Sequence, residues 1–150
     1  MMDPNYSIAI MILTSIIIGY ISMPILLGIN SPYLRNNYNK LYGAIFMSLF
    51  MGFAEVAMSH KHLSRMNLIL WISFLSFGIL LFYYIIRSQV LINEKQYLKG
   101  MIEHHGMAIV MSEQLLKRTD VGEETRGVAQ GIINAQEKEI QWMNDKISTF

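Results

Sequence analysis

Two adjacent histidines, His104 and His105, stand in the segment MIEHHGMAIVM, which runs from Met101 to Met111. They are half of the chain's four histidines, and the chain has no cysteine, which excludes thiolate metal sites and disulfides. Imidazole nitrogen and thioether sulfur suit Cu(I) far better than Mg²⁺, Ca²⁺ or Mn²⁺, which prefer oxygen. The segment therefore predicts a copper site, Cu(I) in particular, with zinc and nickel as alternatives if the imidazoles dominate.

Helical geometry separates the two imidazoles. Adjacent residues of a helix point about 100° apart, so the pair cannot grip one ion as an i, i+4 pair would. Each ring instead has thioethers within its own helical neighbourhood, and a following helix can add another. The predicted metal ligands are Met101, His104, His105, Met107, Met111 and Met143.

A simpler interpretation is that these methionines only fill gaps in a core, as methionines at helical spacing usually do. Two buried imidazoles, however, cost free energy unless they find partners, which favours a metal role. A di-iron site of the ferritin type would need Glu-x-x-His pairs on facing helices, and the sequence contains none.

The ligands are expected on a C-terminal antiparallel helical hairpin, residues 93–150. Asn93 with Gln96 predicts a helix to about Arg118, and Asp120 with Glu123 predicts a second helix to about Ser148. The short connection makes the two helices antiparallel neighbours. The expected contact stripes are Met101, His104, His105, Ala108, Met111 and Leu115 on the first helix, and Ala129, Ile132, Ile133, Gln136, Ile140, Met143 and Ile147 on the second.

Folding the hairpin about Asp120 sets the histidines level with Gln136, and Met101 level with Glu139 at the edge of the second stripe. Gln136 and Glu139 are therefore expected to hydrogen-bond the ligands. Because two amphipathic helices alone bury little surface, the sequence also predicts a homodimer or higher homo-oligomer whose hairpins pack into a bundle.

The first 92 residues have a different character. They hold 7 of the 23 charged residues, and three apolar runs cover about residues 7–27, 41–58 and 67–86. A bilayer core of about 30 Å needs about 20 such residues in a helix. We therefore expect a three-span transmembrane region at 1–92, and an integral, multi-pass protein with the lipid bilayer as its partner.

The first run could instead be a cleaved signal peptide. Its flank carries Asp3 without Lys or Arg, and no small-x-small cleavage site follows, so we expect the run to be retained. Orientation is undecided, because the loop with Arg35 and Lys40 and the loop with Lys61 and Arg65 nearly tie under the positive-inside rule.

A second group of soft and polar side chains lies within the middle run. The group begins at Met47 and ends at His62, with its members 4, 4, 3 and 4 residues apart, which confines them to a sector of about 80° on a helix. A carboxylate in a membrane span usually faces a bundle interior or a cavity. Either the carboxyl group only hydrogen-bonds a neighbouring span, or the group forms a metal-holding face of Met47, Met51, Glu55, Met58 and His62.

The segments MIEHHGMAIVM and QEKEIQWM (Gln136 to Met143) closely resemble the domain of unknown function 305 family. Its signature is Met-Ile-x-His-His-x-x-Ala-Ile-x-Met followed by Gln-x-x-Glu-Ile-x-x-Met, and the match covers about residues 93–148. The chain departs at Glu103, where many members have proline, and has one hairpin where others carry a longer or duplicated domain. The resemblance implies a ferritin-like bundle, copper binding and copper tolerance through Met and His, but no established reaction.

The sequence thus predicts an all-α protein: three transmembrane helices followed by an antiparallel hairpin that forms a ferritin-like bundle on oligomerisation. The expected function is Cu(I) storage, buffering or tolerance, without enzyme activity, because no catalytic constellation is visible. The sequence has no basic stripe of the kind that binds nucleic acid, so nucleic acid is not expected as a partner. The rival interpretations are a structural or assembly membrane protein with no metal role, and an ion or metal transport subunit that uses Glu55.

Overall fold

The computed structural model describes residues 2–150, and every regular element within them is helical, which confirms the all-α prediction. A single 3₁₀ turn, His60–His62, extends the second α-helix. The α-helices are α1 Pro4–Leu27, α2 Tyr38–Ser59, α3 Arg65–Arg87, α4 Glu94–Leu116 and α5 Glu123–Ser148.

Three segments are long and apolar enough to cross a membrane, judged by length and composition. They are Pro4–Leu27, Tyr38–His62 and Arg65–Arg87, and each contains one of the predicted apolar runs. The helices extend a few residues beyond those runs because polar residues at the ends still make helical hydrogen bonds.

Caps set two of the helix starts. The Ser64 hydroxyl accepts from the Asn67 N–H ahead of α3, and the Asn93 side chain accepts from the Gln96 N–H at 2.9 Å ahead of α4. The prediction that Asp120 caps the last helix is wrong. Gly122, which has no side chain, takes that position, and the carboxylate of Asp120 instead accepts from the Arg118 guanidinium at 2.6 Å.

The chain divides into two compact units. The first comprises the chain up to Ser22 together with Tyr38–Leu91, and the second comprises Met23–Asn37 together with Ile92–Phe150. The segment Met23–Asn37, which the sequence grouped with the apolar first half, therefore belongs with the C-terminal helices. In the first unit the buried core consists of Ile8, Leu49, Val56 and Leu75.

In the second unit α4 and α5, which we call the helical pair, pack along each other. Their buried apolar core is Leu98, Ile102, Ile109, Ile133, Ile140 and Met143. At one end the Arg126 guanidinium donates to the Leu116 carbonyl oxygen at 3.0 Å, and at the other Lys146 Nζ lies 3.8 Å from Glu94 Oε1. In both contacts the first turns of one helix meet the last turn of the other, so the two helices run antiparallel.

Candidate metal centre

The two adjacent histidines occupy different environments on α4. His105 is buried, whereas His104 is exposed. Their ring centroids lie 5.9 Å apart with 67° between the ring planes. The rings therefore diverge, as helical geometry predicts, and only His105 enters the interior of the helical pair.

Both ring nitrogens of His105 have partners. Nδ1 lies 2.8 Å from the Met101 carbonyl oxygen, one turn earlier on α4. Nε2 lies 2.6 Å from Oε2 of Glu139 on α5. Because a carbonyl oxygen only accepts, Nδ1 is the donor to Met101, and Nε2 is the nitrogen that faces the Glu139 carboxylate.

The predicted thioethers are distributed over different sides of α4 and α5. Met143 is buried in the core, and Met101 packs against that core. Met107 is half-buried, whereas Met111 is exposed. Of the predicted ligands, His105, Met101 and Met143 thus lie in or against the core between α4 and α5, and Glu139 is joined to His105 by a hydrogen bond.

No group of three or more His, Asp or Glu side chains converges to hold a metal ion in residues 2–150. A metal at His105 would therefore need thioether donors in addition to the imidazole and the carboxylate. Such a mixed donor set still fits a soft or intermediate ion better than Mg²⁺ or Ca²⁺.

The predicted contact stripe of α4 is wrong by about a quarter turn. The side that faces α5 carries Leu98, Ile102, His105, Ile109 and Ser112, so that His104 and Met111 lie outside it. Rotation of this kind buries large aliphatic side chains in place of imidazole and thioether, which stabilises the pair. On α5 the predicted stripe is largely confirmed, with Ala129, Ile133, Ile140 and Met143 buried, but Ile132 is exposed.

Sequence reasoning missed a third participant, the connection between α1 and α2, which we call the strap (residues 28–37). Glu103 of α4 is buried, and its carboxylate accepts from the Arg35 backbone N–H at 3.0 Å and from Asn37 Nδ2 at 2.7 Å. Arg35 Nη2 also donates to Asn144 Oδ1 of α5 at 2.8 Å. The only sequence signal was Glu103 itself, the position at which the chain departs from the family signature.

The strap also packs tightly against α4 through Tyr33. A Cβ added to Gly106 would lie 2.5 Å from Tyr33 Cγ and 2.7 Å from Cδ2, so glycine is needed for this close approach. Burial raises the pKa of the Tyr33 phenol, and the negative charges of Glu113 and Glu137 raise it further. The neutral phenol is therefore the form that suits this position.

In the first unit, Glu55 of α2 is buried and turned towards α1. Its Oε1 accepts from the Ser7 hydroxyl at 2.5 Å and from the Ser59 hydroxyl at 3.1 Å. The other members of the predicted metal-holding face are exposed and do not gather around Glu55. They are Met47, Met51, Met58 and His62. The structure thus shows the simpler alternative, a carboxyl group hydrogen-bonded to a neighbouring helix, while a transport role stays a prediction.

Comparison with known proteins agrees with the two sequence motifs. Residues 88–147 match the family model described as "Domain of unknown function (DUF305)". The chain is also similar to "Uncharacterized protein L153" of Acanthamoeba polyphaga mimivirus, with 34% identity over 142 residues, which cover 93% of this chain and 90% of that protein. No solved structure matches. Since the similarity extends over nearly the whole of both chains and includes the segment with both histidines, this protein belongs to the DUF305 family.

Proposed function

We propose that this protein is a copper-binding integral membrane protein, in which α1, α2 and α3 cross the bilayer and the helical pair holds Cu(I) for storage, buffering or tolerance. The observation that carries the proposal is the hydrogen bonding of His105. With Nδ1 committed to the Met101 carbonyl oxygen at 2.8 Å, Nε2 is the nitrogen left for a metal. Imidazole ligands in metal sites are oriented in this way by a hydrogen bond to the other ring nitrogen.

Nε2 would bind the ion only after giving up the proton that it shares with Glu139. Met101 and Met143 would supply thioether sulfur from α4 and α5, and Glu139 would accept the proton or add an oxygen donor. Sulfur and imidazole favour Cu(I), whereas a bound carboxylate would bring zinc into competition. The ion therefore competes with a proton for Nε2, and the affinity falls as the pH is lowered.

A membrane location is supported by the way the strap and the helical pair meet. If α1, α2 and α3 each cross the bilayer once, the strap and the segment after α3 emerge on the same side. The hydrogen bonds of Glu103 with Arg35 and Asn37 require the same arrangement, because they join the strap to α4. Crossings by both α2 and α3 satisfy this requirement, whereas a crossing by only one of these two helices would separate the partners.

The proposal is tested by anaerobic Cu(I) titration of the full-length protein in detergent micelles against a chromophoric chelator. His105→Ala should weaken Cu(I) binding by at least about tenfold, the equivalent of about 1.4 kcal/mol. His60→Ala is the matched control, because His60 is an exposed histidine whose Nδ1 also lies 2.8 Å from a carbonyl oxygen, that of Ala57. Equal, weak competition by the wild type and both variants would exclude copper binding by the helical pair.

The same titration separates this function from a purely structural role. If His105 only satisfies buried polar groups, His105→Ala lowers the unfolding temperature while no variant alters metal retention. Met143→Leu, which keeps the volume of the buried side chain, should weaken Cu(I) binding if the sulfur is a ligand and change little if it only packs. A Zn²⁺ titration of the same variants reports whether the carboxylate of Glu139 or the sulfurs set the preference.

A further inference from the structure

The helical pair has an uncovered face on the side away from the strap. On α4 the strap packs at Glu103 and Gly106, and α5 packs on the adjoining side. The remaining side of α4 carries a stripe of six residues, spaced 4, 3, 4, 3 and 4 positions apart, that begins at Tyr97 and ends at Leu115. On the same side of the pair, α5 carries a stripe of five residues, spaced 4, 3, 4 and 3 positions apart, that begins at Val128 and ends at Trp142. We call these stripes together the open face: Tyr97, Met101, His104, Ala108, Met111, Leu115, Val128, Ile132, Ala135, Glu139 and Trp142.

The open face is largely apolar and exposed. Met111 is 65% exposed, Trp142 61% and Val128 60%, and Tyr97 and Ile132 are exposed as well. Because Tyr97 and Trp142 lie towards one end and Val128 towards the other, the exposed apolar surface continues along the pair. Contiguous apolar surface of this kind marks an interaction site.

The bond between His105 and Glu139 fixes which residues share a level across the open face. Counting from that pair along antiparallel helices, Met111 lies within one residue, about 1.5 Å, of the level of Ile132, and Leu115 lies equally close to the level of Val128. His104 lies within one residue of the level of Glu139 in the same way. The polar residues His104 and Glu139 thus form one row across an otherwise apolar surface.

We propose that the open face binds the open face of a second copy of this chain, with the helices completing a four-helix bundle in which every neighbour is antiparallel. In this arrangement α4 of one copy lies against α5 of the other. His104 of each copy then meets Glu139 of the other at the same level, and Met111 of each copy meets Ile132 of the other. A hydrogen-bonding imidazole meets a carboxylate, and apolar surface meets apolar surface, in the same arrangement.

A lipid surface suits this face less well. Helices that lie on a membrane carry Lys and Arg beside their apolar stripe, whereas the open face has neither. Its one ionisable acid, Glu139, would meet anionic headgroups. The size also fits a second copy, because two helices of about 27 Å and about 20 Å combined width cover about 500 Å² per copy, or about 1,000 Å² in total, where stable interfaces begin.

The pairing has a consequence for the metal site, and this part rests on the function proposed above. His104, which one copy leaves outside the His105 site, would lie as an additional donor next to Glu139 of the partner subunit. Each site would then be incomplete without a second chain. The pairing itself depends only on the open face and is tested without metal.

Cross-linking between singly substituted chains tests the pairing, because the natural chain has no cysteine. Met111→Cys and Ile132→Cys copies with different affinity tags are co-expressed, purified metal-free in lipid nanodiscs and treated with a short dimaleimide. The mixed cross-link should form in high yield. A control pair of exposed residues off the open face, Glu113→Cys and Asn134→Cys, should give little, and equal yields from both pairs would overturn the proposal.

A matched pair of substitutions then asks whether the open face is responsible. Ala135→Arg places a charge on the open face, and Asn134→Arg places the same charge at the neighbouring exposed position off it. Ala135→Arg should reduce the cross-link at least about tenfold, and Asn134→Arg should leave it unchanged. In a Trp71→Phe background, where Trp142 is the remaining tryptophan, quenching of its fluorescence by brominated lipids would show lipid on this face and overturn the proposal.

Discussion

The chemistry of the helical pair depends on a few hydrogen bonds at buried polar residues. His105 is held by a backbone carbonyl on its own helix and by Glu139 on the other, and Glu103 is held by two donors of the strap. These two residues flank His104, which takes part in neither set of hydrogen bonds and lies on the open face. Three consecutive side chains therefore point in three different directions from α4.

Gly106 provides a sharp test of the strap contact. Gly106→Ala should destabilise the protein by about 1–3 kcal/mol, because the added Cβ overlaps Tyr33 and outweighs the higher helix propensity of alanine. Gly131→Ala, in the other helix of the pair, has nothing within 4 Å of its added Cβ and should stabilise by about 0.5–1 kcal/mol. Thermal unfolding followed by circular dichroism measures both, and equal effects would contradict the strap contact.

Tyr33 predicts a loss of stability at alkaline pH. Its pKa is raised by burial and then by Glu113 and Glu137, so the folded protein keeps the phenolic proton to higher pH than the unfolded chain does. Its contribution to stability is complete below about pH 10, the ordinary value for tyrosine, and is lost as the pH rises through the folded-state pKa.

The measurement is the unfolding temperature of the wild type and of Tyr33→Phe from about pH 8 to about pH 11, around the ordinary tyrosine range. The wild type should lose more stability over this range than Tyr33→Phe, which keeps the ring and has no phenol to ionise. Parallel curves for the two proteins would mean that Tyr33 is no more buried when folded than when unfolded.

At the scale of the elements, α4 organises the second unit because two of its sides pack against different partners. Leu98, Ile102 and Ile109 pack against α5, whereas Glu103 and Gly106 meet the strap. An amphipathic helix with a single apolar stripe would serve only the first of these contacts. The glycine and the buried carboxylate are therefore as necessary to the arrangement as the apolar residues.

The start of α4 depends on a cap that the start of α5 lacks. Asn93→Ala should destabilise the helical pair by about 1 kcal/mol, because the Gln96 N–H loses its acceptor. Asp120→Ala should cause no measurable change, since Asp120 bonds only with the exposed Arg118 side chain and caps no helix. Amide hydrogen exchange in the first turns of α4 and α5 measures the two effects separately. Faster exchange at the start of α5 in Asp120→Ala would mean that Asp120 caps this helix after all, as the sequence predicts.

At the scale of the whole molecule, the proposed three crossings assign a side to the helical pair. The strap and the residues after α3 emerge together, so their basic residues count together under the positive-inside rule. The other side has only Lys61 and Arg65. We therefore expect the cytoplasmic side to hold Arg35, Lys40, Arg87, Lys95 and Lys99.

Single cysteines report this topology in intact cells. Asn30→Cys in the strap and Lys138→Cys on α5 should be protected from a membrane-impermeant maleimide, and Lys61→Cys between α2 and α3 should react. Permeabilised cells serve as the control in which all three react. Opposite behaviour of Asn30→Cys and Lys138→Cys would exclude three crossings.

The sequence by itself determined the helical class, the three apolar segments and the cap at Asn93, because each depends on neighbours within a few residues. Local spacing also separated the two imidazoles and indicated the buried residues of α5. The sequence did not determine which side of α4 faces α5, because aliphatic and thioether side chains compete for the same buried positions and only packing decides between them. The spacing of the chain placed Glu139 among the expected partners of the ligands, but only the tertiary structure joined it to His105, 34 residues away, and joined Glu103 to Asn37, 66 residues away. Contacts of that separation arise when two apolar cores close, and no local pattern in the chain encodes them.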